Sequence, residues 1–296
     1  MEGTIIKGIG GFYYVETAGG IYECKARGLF RKQKMTPLAG DRCKISCQPD
    51  MTGYIEEISR RKNSFVRPPV ANIDRLFIVC AAASPDPLPI LIDKLSVAAL
   101  KEGVEAAVVI NKMDLKTTDT VFLEDAYKKA GFKVYTVSAQ SGEGTEQIKQ
   151  DMSGKISVFA GCSGVGKSSI LNCLFPDINQ KTGGVSEKIG RGKHTTREVS
   201  LIKLPDGGYI ADTPGFSEIE IAEITDIEKE DLFQYFPEIE KYADGCNFRD
   251  CRHINEPGCS VKNAVEEGNI ALSRYESYKD IFNQLGEINK WEKKSR

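Results

Sequence analysis

The chain has 296 residues, 41% hydrophobic and 28% charged, with 28 glycines and 12 prolines. That is an ordinary globular composition, and the length fits two or three domains of about 100–200 residues each. Its longest apolar run, Leu76 to Ala83, falls well short of the ~20 residues of a membrane helix, and MEGTIIKGIG lacks the basic-then-apolar pattern of a secretory signal, so no membrane association is expected. The net charge of −2 divides into +4 over residues 1–64, −1 over 65–220 and −5 over 221–296, so a polyanion is expected to touch the front of the chain if any part, although a plain solvated surface accounts for +4 equally well. Nine cysteines, six of them scattered (Cys24, Cys43, Cys47, Cys80, Cys162, Cys173), make poor disulfide arithmetic and point to a reducing, cytoplasmic setting.

Residues 1–64 read as five short strands, Gly3 to Ile6, Phe12 to Thr17, Gly20 to Ala26, Arg42 to Pro49 and Gly53 to Ile58, divided by glycine and Pro-Asp turns. This predicts a small barrel of OB or SH3 type. The basic, proline-ended stretch Arg60 to Pro69 reads as a linker. From Ile73 the pattern changes to an apolar strand (Arg75 to Ala82), a helix (Leu88 to Lys101), a strand (Glu105 to Ile110), a helix (Asp119 to Ala130) and a strand (Lys133 to Ser138). Ile156 to Ala160 then leads through a glycine-rich turn into a helix from Lys167. Such alternation predicts an α/β domain over 65–220 with a mainly parallel sheet. Residues 221–296 are expected to be helical (Asp226 to Tyr242, Val261 to Glu267, Ala271 to Lys293) around a Cys/His-containing turn.

Gly161-Cys162-Ser163-Gly164-Val165-Gly166-Lys167-Ser168 fits the P-loop pattern GxxxxGKS, after an apolar strand and before a helix. Its amides would curl around phosphates, Lys167 would reach the β- and γ-phosphates, and the Ser168 hydroxyl would bind Mg²⁺. Cys162 reads as a tolerated small side chain in that loop rather than a redox sensor. Asn111-Lys112-Met113-Asp114 follows another apolar strand. An aspartate there accepts two hydrogen bonds from the guanine edge that adenine cannot supply, Asn111 would brace the loop, and the Lys112 stem would cover the base. Ser138 and Ala139 lie in an SA loop, with the Ala139 amide expected to face guanine O6. Asp212-Thr213-Pro214-Gly215 fits DxxG, in which Asp212 holds Mg²⁺ through water and the Gly215 amide senses the γ-phosphate.

The order is the informative part. A conventional GTPase runs P-loop, switch threonine, DxxG, NKxD, SA loop, whereas here NKxD and the SA loop precede the P-loop and DxxG comes last. The chain is circularly permuted, and the segment after DxxG leads directly into the C-terminal region. Phe216 occupies the place where Ras-like proteins carry the water-orienting glutamine. GRGKHTTR (Gly190 to Arg197) supplies Thr195 or Thr196 as the switch Mg²⁺ ligand, and His194 as a water-orienting residue or general base. The rival reading of this loop is contact with RNA phosphate, given Arg191, Lys193 and Arg197. Cys246, Cys251, His253 and Cys259 form C-x4-C-x-H-x5-C, a ligand set for one tetrahedral, structural Zn²⁺.

Taken together, the permuted order NKMD–SAQ–GCSGVGKS–GKHTT–DTPG, the N-terminal barrel and the Cys/His cluster resemble the family of small ribosomal subunit biogenesis GTPases (RsgA, also YjeQ or YloQ) over essentially the whole chain. The resemblance implies an OB-fold at the N-terminus, a helical zinc domain at the C-terminus, and a factor of late 30S maturation with low intrinsic GTPase activity stimulated by the 30S subunit. It places GTP contacts on Asn111–Asp114 and on the P-loop through Ser169, the metal on the four residues named, and catalysis on His194. The implied partners are GTP and GDP, the 30S subunit and its 16S rRNA, for a monomeric protein. Phe12, Tyr13, Tyr14 and Tyr22, with Lys25, Arg27, Arg31, Lys32 and Lys34, are the barrel residues expected to stack on and grip RNA. The alternative function is a GTP-sensing RNA-binding module whose hydrolysis is incidental.

Overall fold

The computed structural model describes residues 1–28, 30, 35–65, 69–115, 118–176, 199–212 and 227–294, with side chains for all of these except 118, 119, 212 and 286–294. The first five strands are β1 (Glu2–Ile9), β2 (Phe12–Thr17), β3 (Gly20–Ala26), β4 (Arg42–Cys47) and β5 (Thr52–Ile58). β1, β2 and β3 form an antiparallel meander; β5 then pairs parallel to β3 and antiparallel to β4, and β4 returns to β1 and closes the sheet. Closure leaves no free edge, the arrangement of an OB-type barrel. Alternation along the strands sends Ile5, Val15, Tyr22, Cys24, Cys43, Ile45 and Ile55 into its core.

The described residues of the stretch read as a linker are built into the structure instead. β6 (Ser64–Phe65) pairs with β7 (Val70–Ala71), and Arg61 makes a two-pronged ion pair with the buried Asp41 at 2.7 and 2.8 Å. Asn63 exchanges hydrogen bonds with the main chain of Ile73, while Asn72 accepts from Lys62 N–H and donates to Gly40 O. Polar side chains here substitute for regular backbone pairing, which is why composition alone reads as linker.

The second unit is a doubly wound sheet of β8 (Arg75–Ala81), β9 (Glu105–Asn111), β10 (Lys133–Thr136), β11 (Ile156–Ala160), β12 (Ser200–Lys203) and β13 (Tyr209–Asp212). The order is β10-β9-β8-β11-β13-β12, all parallel except β12, and β12 touches the barrel through the pair Lys7 and Ser200. Strand β10 ends at Thr136, two residues short of the expected Ser138, because the chain turns there into the SA loop. Strands β12 and β13 carry no signal long enough to be expected; they form one short hairpin.

Helices α1 (Pro89–Lys101), α2 (Thr118–Lys129), α3 (Thr145–Met152) and α4 (Lys167–Leu174) cover both faces. In β8, Leu76, Ile78 and Cys80 face α1 and α2, and Phe77, Val79 and Ala81 face α3 and α4, so the continuous apolar run is the signature of a strand buried on both sides.

The C-terminal part comprises a 3-10 turn Lys229–Tyr235, α5 (Pro237–Ala243), α6 (Ser260–Glu266) and α7 (Leu272–Lys294). The single helix expected over Asp226 to Tyr242 is split, because Pro237 cannot continue a helix and begins α5 as its first residue. These elements share one apolar cluster with α1 and the sheet. At its centre Arg274, 1% exposed, donates to Asp93 Oδ1 at 2.6 Å and to both oxygens of Glu238 at 2.6 and 3.1 Å. Its guanidinium lies 4.6 Å from the Phe236 ring centroid and 5.3 Å from that of Phe132.

Candidate functional site

Five parallel strands put their carboxyl ends along one edge of the sheet, where open α/β sheets bind ligands. The NKMD turn follows β9, the SA loop follows β10, the P-loop follows β11, and Asp212 ends β13 beside it. Numbered from the P-loop strand, the sheet order reads 2-3-1-4-5-6, which only a permuted chain reaches in this sequence order.

Asn111 ties three loops together. It is 1% exposed; its Nδ2 donates to Val165 O of the P-loop at 2.9 Å, and its Oδ1 accepts from Ala139 N–H of the SA loop at 3.1 Å. That amide, expected to face guanine O6, is held by Asn111 in this structure. Gly166 closes the P-loop with φ +94°, and a Cβ there would meet Asn111 Nδ2 at 2.3 Å, so only glycine fits. Gly161 likewise has φ +140° and lies against Val79 O, 2.0 Å from where a Cβ would stand. Val165 is buried, Ser163, Gly164 and Ser169 are exposed, and Cys162 and Ser168 are half-buried.

The Lys167 ammonium donates to the carbonyls of Gly161 and Cys162 at 2.7 and 2.8 Å, and burial pulls its pKa below the ordinary lysine value. A half-buried cation held by carbonyls gains when an anion arrives. Asp114 is exposed, with Oδ1 accepting from the buried Ser138 hydroxyl at 2.7 Å, which fixes the carboxylate in place. Met113 donates its N–H to Val137 O and packs against the core, while Lys112 takes a left-handed backbone (φ +62°) and its ammonium reaches Ser84 O. Ser84 belongs to the loop after β8, a neighbour that sequence reasoning missed; its signal is the proline-rich SPDPLP at a strand's carboxyl end. His194, Thr195, Thr196, Gly215 and Phe216 lie outside the described residues, and Asp212 is described by backbone only.

The second constellation joins Cys246, Cys251, His253 and Cys259, whose ligand atoms all lie within 4.8 Å of one another. Cys246 Sγ and Cys259 Sγ are 3.8 Å apart, and each is 3.5 Å from His253 Nδ1. Metal–ligand lengths of about 2.3 Å to sulfur and 2.0–2.1 Å to nitrogen, at a tetrahedral angle, give edges of roughly 3.8 and 3.6 Å. The three edges among Cys246, Cys259 and His253 therefore match a tetrahedral metal, and Cys251 Sγ lies within 4.8 Å of them as the fourth donor. Burial raises the Cys246 thiol, but hydrogen bonds from the Ser260 and Val261 amides at the start of α6 and from the neighbouring thiols outweigh it, so its pKa is lowered toward the thiolate. Around the cluster, Tyr275 and Tyr278 donate their hydroxyls to the carbonyls of His253 and Arg252, and Phe233 packs edge-on against the His253 ring.

On the barrel, Phe12 is exposed with Lys25 above its ring at 5.0 Å, and Tyr14 bonds Glu23 on the same outer face. Two of the rings expected to be available turn inward: Tyr22 is buried and Tyr13 packs against the barrel core, because alternate strand positions face opposite sides. Arg27 pairs with Glu56, and Arg31, Lys32 and Lys34 lie outside the described residues.

The family model described as RsgA GTPase matches residues 58–222, and that described as RsgA N-terminal domain matches residues 2–55. The chain is 47% identical to the small ribosomal subunit biogenesis GTPase RsgA of Caldanaerobacter subterraneus subsp. tengcongensis, over 98% of this chain and 97% of that protein. It is 44% identical to the protein of that name from Geobacillus thermodenitrificans, over 97% and 98% of the two chains. Among solved structures, YjeQ from Thermotoga maritima superposes with a TM-score of 0.82 at 39% identity, over 96% of this chain and 98% of that one. YloQ, described as a circularly permuted GTPase, superposes with a TM-score of 0.80 at 36% identity, over 97% and 95%. With strand order, loop placement and full-length similarity in agreement, the chain belongs to the RsgA family of circularly permuted GTPases.

Proposed function

We propose that this protein is a cytoplasmic, monomeric GTPase that acts as a late-stage assembly checkpoint on the 30S subunit, binding 16S rRNA and hydrolysing GTP when the small subunit stimulates it. The observation that carries the reading is Asn111, a single buried side chain that fixes the P-loop and the SA loop to the NKMD turn at one sheet edge. The relatives' printed name, and the family model covering the sheet, support the assignment to the small subunit. Among the described residues no helix is long and apolar enough to cross a membrane. The units we assign are an RNA-binding barrel over 1–64, the permuted GTPase domain over 65–220 and a helical zinc domain over 221–296.

In this reading Asp114 accepts the guanine N1–H and amino hydrogens, Lys112 flanks the base, and Ala139 N–H passes from Asn111 to guanine O6. The P-loop amides and Lys167 hold the phosphates, with Ser168, Asp212 and one of Thr195 and Thr196 as the Mg²⁺ residues. Bound Mg²⁺ would neutralise charge on the β- and γ-phosphates. His194 orients or deprotonates the attacking water, and the Gly215 amide senses the γ-phosphate. Cys246, Cys251, His253 and Cys259 hold one structural Zn²⁺, supported by edges that match tetrahedral geometry.

Steady-state hydrolysis of GTP, with ATP as control, is measured for the protein alone and with 30S or 50S subunits. Slow basal turnover accelerated by 30S particles alone is the expected result. GTP-dependent binding to 30S without acceleration would favour an RNA-binding module with incidental hydrolysis.

A further inference from the structure

A cavity of about 320 Å³ lies on the seam between the barrel and the sheet, at the starts of β11 and β13 and therefore at the end opposite the P-loop. Its charged lining is Arg42 from β4, Arg60 and Lys62 from the connecting segment, and Asp74. Asp74 is fully engaged, Oδ1 by the Lys62 ammonium at 2.6 Å and Oδ2 by the Ile156 amide at 2.9 Å. Other carboxylates of the barrel are also taken: Glu16 by Lys203 and the Tyr209 hydroxyl, the buried Asp41 by Arg61, and Glu57 by Lys44. Arg42 and Arg60 are thus left with no ion-pair partner among the described residues. Gly154 and Gly208 also line the cavity and present backbone rather than side chains, so a ligand can approach closely.

The geometry points to a second, anion-binding site here, in which Arg42 and Arg60 grip a phosphate group carried on a ligand of about one nucleotide. Guanidinium forks match phosphate oxygens two at a time, and a lysine already neutralised by its aspartate leaves the pair of arginines as the net charge. The volume falls at the lower end of ligand pockets, about 300–1,000 Å³, which suits a mononucleotide unit and not an extended cofactor. Two sources offer that chemistry, a free mononucleotide or one residue of an RNA strand lying across the barrel. The site is separate from the guanine-nucleotide edge by the length of β11, about 16 Å at ~3.3 Å per residue.

The test uses the full-length protein saturated with GDP, so that the guanine site is filled, and titrates it by calorimetry with UMP and with a short oligouridylate. Binding at one site per chain, displaced by inorganic phosphate and weakened about tenfold or more in the Arg42→Ala/Arg60→Ala variant, is expected. GDP affinity and GTP turnover are measured on the same samples and should be unchanged, which separates failure here from failure of the GTPase reading. Equal affinity for both probes identifies a free nucleotide as the source, and binding of the oligouridylate alone identifies RNA. Because both arginines are exposed, the variant is expected to fold; as an independent readout, ligand should slow amide exchange at Gly154–Ile156 and Gly208–Tyr209 in the unaltered protein. The proposal is overturned if neither probe binds, if the double variant binds as well as the original, or if exchange at those amides does not change.

Discussion

Asn111 and Arg274 show how much one buried polar side chain decides. Replacing Asn111 by alanine removes two hydrogen bonds that brace the loops and leaves the Val165 carbonyl without a partner even when the Ala139 amide is taken by guanine, a cost of about 2 kcal/mol. Because those groups belong to the loops we assign to the nucleotide site, the loss should appear mainly as weaker GDP binding, on the order of tenfold to thirtyfold, with a smaller change in unfolding midpoint. Fluorescent-GDP titration beside urea unfolding separates the two, and unaltered affinity would remove Asn111 from the site. Arg274→Ala belongs to a different class. It leaves the Asp93 and Glu238 carboxylates without their cation in an apolar cluster, Asp93 keeping the Tyr127 hydroxyl as donor, and removing one partner of a buried ion group costs about 3–5 kcal/mol. Arg274→Lys keeps the charge but loses the fork that serves two carboxylates and the stacking on Phe236, so it should recover only part of that loss. Urea unfolding of the two variants gives the order directly.

At the scale of elements, β8, β9, β10 and α3 are joined by an ionic group at the amino ends of the parallel strands. Arg75 contacts Glu105 and Asp151, and Lys133 and Tyr135 also reach Asp151. The Arg75 hydrogen bond holds Glu105 below its usual pKa. Burial works to raise Asp151, but hydrogen bonds from Lys133 and Tyr135 and the charge of Arg75 bring it below the ordinary value. A carboxylate whose folded pKa is depressed stabilises fully above its unfolded pKa, near 4, and loses that contribution as pH falls through the folded value. The unfolding midpoint should therefore fall from about pH 5 downward, and Asp151→Asn should flatten that slope while lowering stability at neutral pH. A slope unchanged by the substitution would assign the acid sensitivity to other carboxylates.

These same elements show what the sequence can and cannot disclose. Apolar runs such as Arg75 to Ala82 and glycine-rich loops such as Gly161 to Gly166 announce themselves because their physical requirement, burial on two faces or positive φ, restricts residue type. The hairpin of β12 and β13 is four residues per strand around a tight Pro205–Gly208 turn, too short for periodicity to register. The Arg274 group joins residues more than 170 positions apart, and the Asn63 and Asn72 bonds use side chains that are common in loops, so neither leaves a local pattern. The four metal-ligating candidates are legible because cysteine and histidine cluster within 14 residues, while the convergence of their donor atoms to within 4.8 Å belongs to the fold.

Over the whole molecule, the cluster and the sheet form one mechanical path. His253 packs on Phe233 and Tyr278, Tyr278 packs edge-on against Phe236, Phe236 stacks on Arg274, and Arg274 is bonded to Asp93 of α1. A segment this poor in regular structure, 244–259 between two short helices, depends on cross-links for its shape. Stripping the metal should therefore do more than loosen a surface knuckle: it should lower the unfolding midpoint of the whole chain, because Tyr275 and Tyr278 lose the His253 and Arg252 carbonyls that position α7. GDP affinity should fall far less, since the loops joined by Asn111 lie on the sheet edge and share no residue with that path. Elemental analysis is expected to find one zinc per chain, and thermal unfolding before and after chelation, with GDP titration on the same samples, checks the rest. Loss of zinc that leaves the midpoint unmoved would mean that the helical unit is held by its apolar cluster alone, with the metal fixing only the turn.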